Sequence, residues 1–149
     1  MSHMCQGCSN LTSFIVNYSS TGTVNCINSE YAFAQCSNLQ TINTTSSANT
    51  SNHLNFYFRN AFGMFQDCSK LATIPFNRSW YYNTYNAFEN CANLKNVVIN
   101  HQYFNIFANT FLDTKVTSID GSASSGLYLQ AVMSSAIPTL QKFNGYIQT

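Results

Sequence analysis

Charge is what this sequence has least of. Only 7% of its 149 residues are Asp, Glu, Lys or Arg, six basic against five acidic, for a formal net charge of +1; about a quarter of a soluble chain is ordinarily charged. So sparse a surface offers no electrostatic footprint for nucleic acid or anionic lipid, and neither partner is expected. Also missing are an apolar run near the roughly 18 residues that cross a bilayer and a charged n-region leading into an apolar one, so no membrane insertion is expected. No glycine-rich phosphate loop occurs. Asn, Ser and Thr fill about a third of the positions and supply the solubility that ions do not. Aromatics at 15% exclude a chain unable to form a core. The opening Met1-Ser2-His3-Met4 reads as an expression-tag remnant, and any secretion signal is expected to lie outside this sequence.

What is present is a repeat. Residues 33–42 (FAQCSNLQTI), 65–74 (FQDCSKLATI) and 88–97 (FENCANLKNV) share Phe, Cys, Leu and an aliphatic at three-residue steps. A fourth copy, residues 111–119 (FLDTKVTSI), is one residue shorter and puts Thr114 where Cys stood. Weaker terminal copies carry Cys5, Cys8, Leu11 and Phe14 at one end and Met133, Ala136, Ile137 and Leu140 at the other. The phenylalanines lie 32, 23 and 23 residues apart and Met133 follows Phe111 by 22, so the unit is 22 or 23 residues, with insertions expected within residues 45–55 and around residues 19–22.

One such unit cannot fold alone. Burying a Phe, a Leu and an Ile gains about 1.5 to 3 kcal/mol each, while ordering some 22 residues costs about 1 to 2 kcal/mol apiece. Stacked copies share their faces, so the predicted core is a set of columns: Phe33, Cys36, Leu39 and Ile42; Phe65, Cys68, Leu71 and Ile74; Phe88, Cys91, Leu94 and Val97; Phe111, Val116 and Ile119. The L-x-x-L-x-L stretches after each Cys predict strands, with Pro75 removing one ladder donor near a strand end. The aromatic arcs before each Phe, residues 56–62, 80–85, 103–107 and 128–129, are expected to be short helical or irregular turns on a convex side.

The run A-F-x-x-C-x-x-L-x-x-I, at residues 32–42 and 87–97 and with Met64 in place of Ala at residues 64–74, resembles the BspA-like leucine-rich repeat. A related M-F-x-x-C-S-x-L version occurs in bacterial surface proteins and phage-encoded ones. The resemblance covers residues 5–143 or so and implies a right-handed repeat solenoid, α/β or mostly β, of about five to six units with a parallel sheet on its concave face. Residues 5–149 are then a single solenoid domain. It also implies an extracellular, cell-surface or virion protein, without catalytic residues or a cofactor, serving adhesion or recognition.

The remaining constellations are meagre. Cys5-Gln6-Gly7-Cys8 lacks the second ligand pair a zinc knuckle needs. Cys36, Cys68 and Cys91 are expected as a buried reduced ladder, and Cys26 is off-phase. His53 and His101 have no sequence-identifiable nucleophile and carboxylate to complete a triad, so catalytic and metal sites are not predicted. Strand alternation sets Ser13, Thr41, Thr73, Asn96, Ser118 and Thr139 in one outward row and Ile15, Asn43, Pro75, Val98, Asp120 and Gln141 in a second. Thr41, Asn43, Thr73, Asn96, Ser118 and Asp120 are therefore candidate contacts for a protein or glycan on a cell surface. Trp80, Tyr81 and Tyr82 form a competing aromatic site, suited to sugar stacking or to self-association.

Overall fold

The computed structural model describes residues 1–18, 22–46, 54–76, 79–100, 103–107, 109–122, 127–129 and 137–145. No helix occurs among them. The chain is a β-solenoid in which every strand pairing is parallel. On one face, β2 (Gly22–Asn28), β4 (Leu54–Asn60), β5 (Trp80–Asn83), β7 (Tyr103–Ile106) and β9 (Leu127–Leu129) form a continuous five-stranded sheet. The other face holds two separate sheets, β1 (Ser13–Tyr18) with β3 (Thr41–Ser46), and β6 (Asn96–Val98) with β8 (Ser118–Asp120) and β10 (Lys142–Asn144).

Between the faces run the predicted columns. Phe33 and Phe65 stack with centroids 5.5 Å apart, Phe65 and Phe88 5.2 Å, and Phe88 and Phe111 5.6 Å, all within 20° of parallel. Phe14 closes the column edge-on against Phe33 at 5.0 Å. Each such pair adds about 0.5–1.5 kcal/mol to the area it buries. Leu39, Leu71, Leu94, Val116, Val97 and Ile119 are buried as expected, whereas Ile42 and Ile74 are only half-buried.

Cysteine serves this column as a donor as well as a filler. The Cys36 thiol donates to the Cys5 carbonyl at 3.0 Å, Cys68 to Phe33 and Cys91 to Phe65 at 3.1 Å, so each thiol reaches the carbonyl of the coil before it. Thr114 fills the same slot but turns its hydroxyl to the Phe111 carbonyl of its own turn at 2.7 Å. All six cysteines are free.

The turns around the column explain the repeat's polar spacers. Two residues before and two after the ring position the backbone is left-handed: Tyr31 and Gln35, Gly63 and Asp67, Asn86 and Asn90, with Asp113 after Phe111. Asn and Asp tolerate that conformation better than other side chains, which is why they recur there. At Gly63 a Cβ would lie 2.4 Å from the Tyr31 ring. The opening residues follow the same rule, with His3 and Gly7 left-handed around Cys5 and the His3, Cys5 and Gly7 amides bonded to the Glu30, Ala32 and Ala34 carbonyls.

The aromatic arcs correct the sequence expectation. They are the strands of the five-stranded sheet, with Phe56, Phe58, Tyr81, Phe104 and Ile106 pointing inward. In β5, β7 and β9 three or four residues are too few for alternation to be read against an aromatic-rich background. Cys26 finds its place there, in register with Phe58, Tyr81 and Phe104. The last coil is also shifted from expectation by three residues. Lys142 and Asn144, not Thr139 and Gln141, continue the outward rows of Ser118 and Asp120, because Ile137 takes the cysteine slot and Leu140 the leucine slot. Met133 and Ala136 lie outside the described residues, as do the insertion residues 19–21 and 47–53.

Candidate functional site

The two-sheet face is broken at the third coil. Elsewhere along its margin each coil bonds to the one before it, Gln40 to Thr12, Thr117 to Lys95 and Gln141 to Thr117, through backbone bonds of 2.8–2.9 Å. At the third coil the corresponding bonds, residue 72 to 40 and residue 95 to 72, are absent. Residues 72–76 make no backbone–backbone bond to any described residue. Pro75 has no N–H to give, Phe76 is left-handed at φ 53°, and both are buried. The Phe76 ring lies among Phe33, Phe56 and Phe58 at 6.4, 4.7 and 5.2 Å. Here the chain turns into the core at Pro75 and Phe76, while Ala72 and Thr73 stay exposed. Tyr81 secures it there, its hydroxyl donating to the Pro75 carbonyl at 2.8 Å, so that a carbonyl without a ladder partner is not left orphaned.

The surface above this inward turn is a cavity of about 340 Å³, lined by Ile42, Thr73, Ile74, Pro75, Phe76, Asn96, Val98 and Asn100. Two of the predicted contact residues, Thr73 and Asn96, are brought together in its wall. Thr41 and Asn43 stand exposed on β3, on the near side of the break. Ser118 donates to Asn96 Oδ1 at 2.9 Å and so orients that amide. Asp120, exposed on β8, is held below the usual carboxylate range by hydrogen bonds from the Ser122 side chain and backbone, with smaller help from Lys142 and Asn144. Ile42, Ile74, Phe76 and Asn100 were not foreseen in a binding surface; Pro75 and Val98 stood in the predicted second outward row, where Val98 is indeed exposed but Pro75 is buried. The signal available was Pro75, a ladder breaker inside a predicted strand.

Tyr81 is not a surface contact. It is fully buried, because β5 alternates and only Trp80 and Tyr82 face outward. Those two join Tyr57 and Tyr103 in an outward row: Tyr82 stacks on Tyr103 at 4.3 Å and approaches Tyr57 at 5.1 Å, with Trp80 6.1 Å from Tyr57. Only the Tyr82–Tyr103 pair is stacked, at 20° between planes; Tyr57 is tilted by 41° to Tyr82 and by 47° to Trp80.

Chemically, the cavity offers amides, a hydroxyl and apolar walls. Among the described residues its lining holds no carboxylate, imidazole, thiol or amine, and so none of them is a group for general acid–base work at neutral pH. The thiols of the column are far from reactive: burial pushes Cys36 up to about 11 and Cys68 up to about 12, and Cys91 well above the ordinary thiol value. Among the described residues no three His, Cys, Asp or Glu side chains converge as a metal site would require. His53 and His101 lie outside the described residues.

A parallel β-solenoid with a ring-and-thiol column and an uncharged cavity in one face defines a repeat scaffold. Consistent with this, the chain matches the BspA type leucine rich repeat region in 6 copies across residues 2–128, and it belongs to that family of repeat binding and structural modules. No curated protein and no solved structure matches it.

Proposed function

We propose that the chain is a non-enzymatic recognition module that binds a protein or glycan at a cell surface through its broken face. The observation that carries this reading is the cavity at the third coil, an uncharged recess with hydroxyl and amide groups at its wall and apolar side chains at its floor. Sites of this make-up orient a ligand through a few polar groups and gain affinity from the apolar floor. The coils on either side are cross-bonded to their outer neighbours, Gln40 to Thr12 and Thr117 to Lys95, so the two walls need little ordering on binding. Thr41, Asn43, Thr73, Asn96, Ser118 and Asp120 are the candidate contacts, and no cofactor is involved. Proteins of this family are typically surface-associated, which supports an extracellular, cell-surface or virion setting. Arrays of immobilised cell-surface proteins and glycans, probed with the wild-type chain and with Asn96→Ala, test it. Binding that weakens at least about tenfold in the variant supports the reading, and binding indifferent to Asn96 overturns it.

A second reading, assembly into a fibre or larger surface structure, has its own support in β2. This strand forms one edge of the five-stranded sheet, contains no charged residue, and leaves Val24 and Ile27 exposed. Edges without charge invite pairing with another chain. Light scattering distinguishes the two: a concentration-dependent oligomer abolished by Ile27→Lys, on the outward and more exposed side of the strand, favours assembly, and a monomer at all concentrations removes it.

A further inference from the structure

We propose that the break in the two-sheet face is a vacant strand position, and that its occupant is an extended, uncharged segment of a partner protein that completes the sheet. The inference rests on the recognition role and specifies its ligand.

β3 and β6 belong to the second and fourth coils, so they stand two rungs apart, about 10 Å at the spacing of parallel strands. In an unbroken face the third coil would fill that interval. Instead Pro75 and Phe76 turn inward, the Phe76 ring among Phe33, Phe56 and Phe58, while Ala72 and Thr73 stay exposed, and the cavity opens over this departure, lined by Ile42 of the second coil and by Asn96, Val98 and Asn100 of the fourth. The absent bonds on both flanks, residue 72 to 40 and residue 95 to 72, leave the facing margins of the β1–β3 and β6–β8–β10 sheets unjoined. Backbone donors and acceptors left on a strand edge are complementary to one thing above all, the backbone of another extended chain.

Side-chain chemistry narrows the segment. Every strand among the described residues pairs in parallel, and a parallel insertion would continue that order. Alternate side chains of the segment would point down onto Ile42, Ile74 and Phe76, which favours small or β-branched apolar residues there; the others would lie beside Thr73 and Asn96. With no charge among the described lining residues, a Lys, Arg, Asp or Glu pointing down onto Ile42, Ile74 and Phe76 would be desolvated against apolar side chains. A glycan could hydrogen-bond the same amides, but it would leave the strand edges unmatched.

The test is a selection followed by mapping. A random seven-residue peptide display library is panned against the wild-type protein, with Val98→Arg as counter-selection. Val98 is 53% exposed at the cavity wall, so the variant fills the recess without touching the core, and an unchanged melting temperature confirms it. The enriched peptide, and a copy N-methylated at alternate amides, is then titrated into isotopically labelled protein and followed by amide NMR. The expected result is an uncharged sequence with alternating β-branched residues. Its shifts should centre on Ile42, Thr73, Asn96 and Val98, with N-methylation weakening binding at least about tenfold. Equal enrichment on both proteins, indifference to N-methylation, or shifts confined to the free edge at β2 would overturn it. If peptides fail and a panel of neutral oligosaccharides moves the same amides, this inference falls while the recognition role stands; if neither class moves them, both fall.

Discussion

The two faces of the solenoid are built from the same coils under different rules. The five-stranded face is length-locked to the core: Asn25, Tyr57, Trp80 and Tyr103, which stand in one register row, each lie eight residues before Phe33, Phe65, Phe88 and Phe111. The opposite face is coupled loosely, with twelve residues from Ser13 to Asn25, sixteen from Thr41 to Tyr57 and seven from Asn96 to Tyr103. One face must deliver a ring into a continuous stack in every coil, so a residue gained or lost there would displace a Phe from its neighbours. The other hands the chain into an arc where extra Ser, Thr and Asn cost only loop entropy. Variation, the strand break and the cavity all sit beside the loosely coupled arc.

The thiols and rings between the faces belong to both, so disturbing them should abolish the difference by bringing down the whole stack. The largest effect is expected from alkali. A thiol whose folded pKa lies above its ordinary value of 9.0 keeps its proton in the folded state after the unfolded chain has lost it, so stability is full below pH 9 and falls as pH rises toward the folded value. The slope is about 1.4 kcal/mol per pH unit for each such thiol. Cys36 and Cys68 act up to about pH 11 and 12, and Cys91, also raised by burial, acts in the same direction. Urea midpoints between pH 8 and 10.5 should therefore drop steeply. A midpoint flat to pH 10.5 would show that the column is not sealed. Next in size is Phe88→Ala, in the middle of the ring stack, at about 3–5 kcal/mol. Hydrogen exchange should accelerate on both faces together, and acceleration on one alone would mean that the column is not shared.

How much of this was visible in the sequence follows the same division. The column was legible because Phe, Cys, Leu and Ile recur at fixed steps and stacking is the only way such short units reach stability. The aromatic strands were not, because β5 and β7 offer four residues each, and an inward Tyr81 between outward Trp80 and Tyr82 looks the same in sequence as three surface rings. The slip at the last coil has a similar cause: Ile137 stands for a cysteine and Phe143 for an isoleucine, so the chemical labels that fixed the other copies were missing. The cavity depends on a coil that leaves the pattern, and a repeat predicts only what its members share.

Tyr81→Phe separates the faces. The hydroxyl spans the core from the continuous sheet to the Pro75 carbonyl, and its loss leaves a buried acceptor unpaired at about 1–3 kcal/mol. Most of the damage should appear at the broken face, as faster exchange and shifted amides in residues 73–76 and along the cavity wall. Strand β5 should keep its protection, since its backbone pairs with β4 and β7 are untouched. Equal loosening of both faces would mean that Tyr81 holds the stack generally and not the inward turn.

The smallest effect probes the continuous face alone. At its corner Asn28, Asn60 and Asn83 stand in register. The Asn83 amide donates to Asn60 Oδ1 at 3.0 Å, and the same oxygen accepts the Phe62 N–H at 3.2 Å. Each rung thus closes its own turn and grips the next, which is how polar side chains substitute for ladder bonds where the sheet ends. Asn60→Ala removes one rung on a partly solvated corner, where water can replace it in part, so the cost should be about 0.5–1.5 kcal/mol. The cavity wall at Thr73, Asn96 and Val98 should be unmoved in amide NMR, because no bond of Asn60 reaches the two-sheet face. Shifts at the cavity would show the faces to be coupled through the corner, and the loose arc would then be the only part of each coil free to change without consequence for the other.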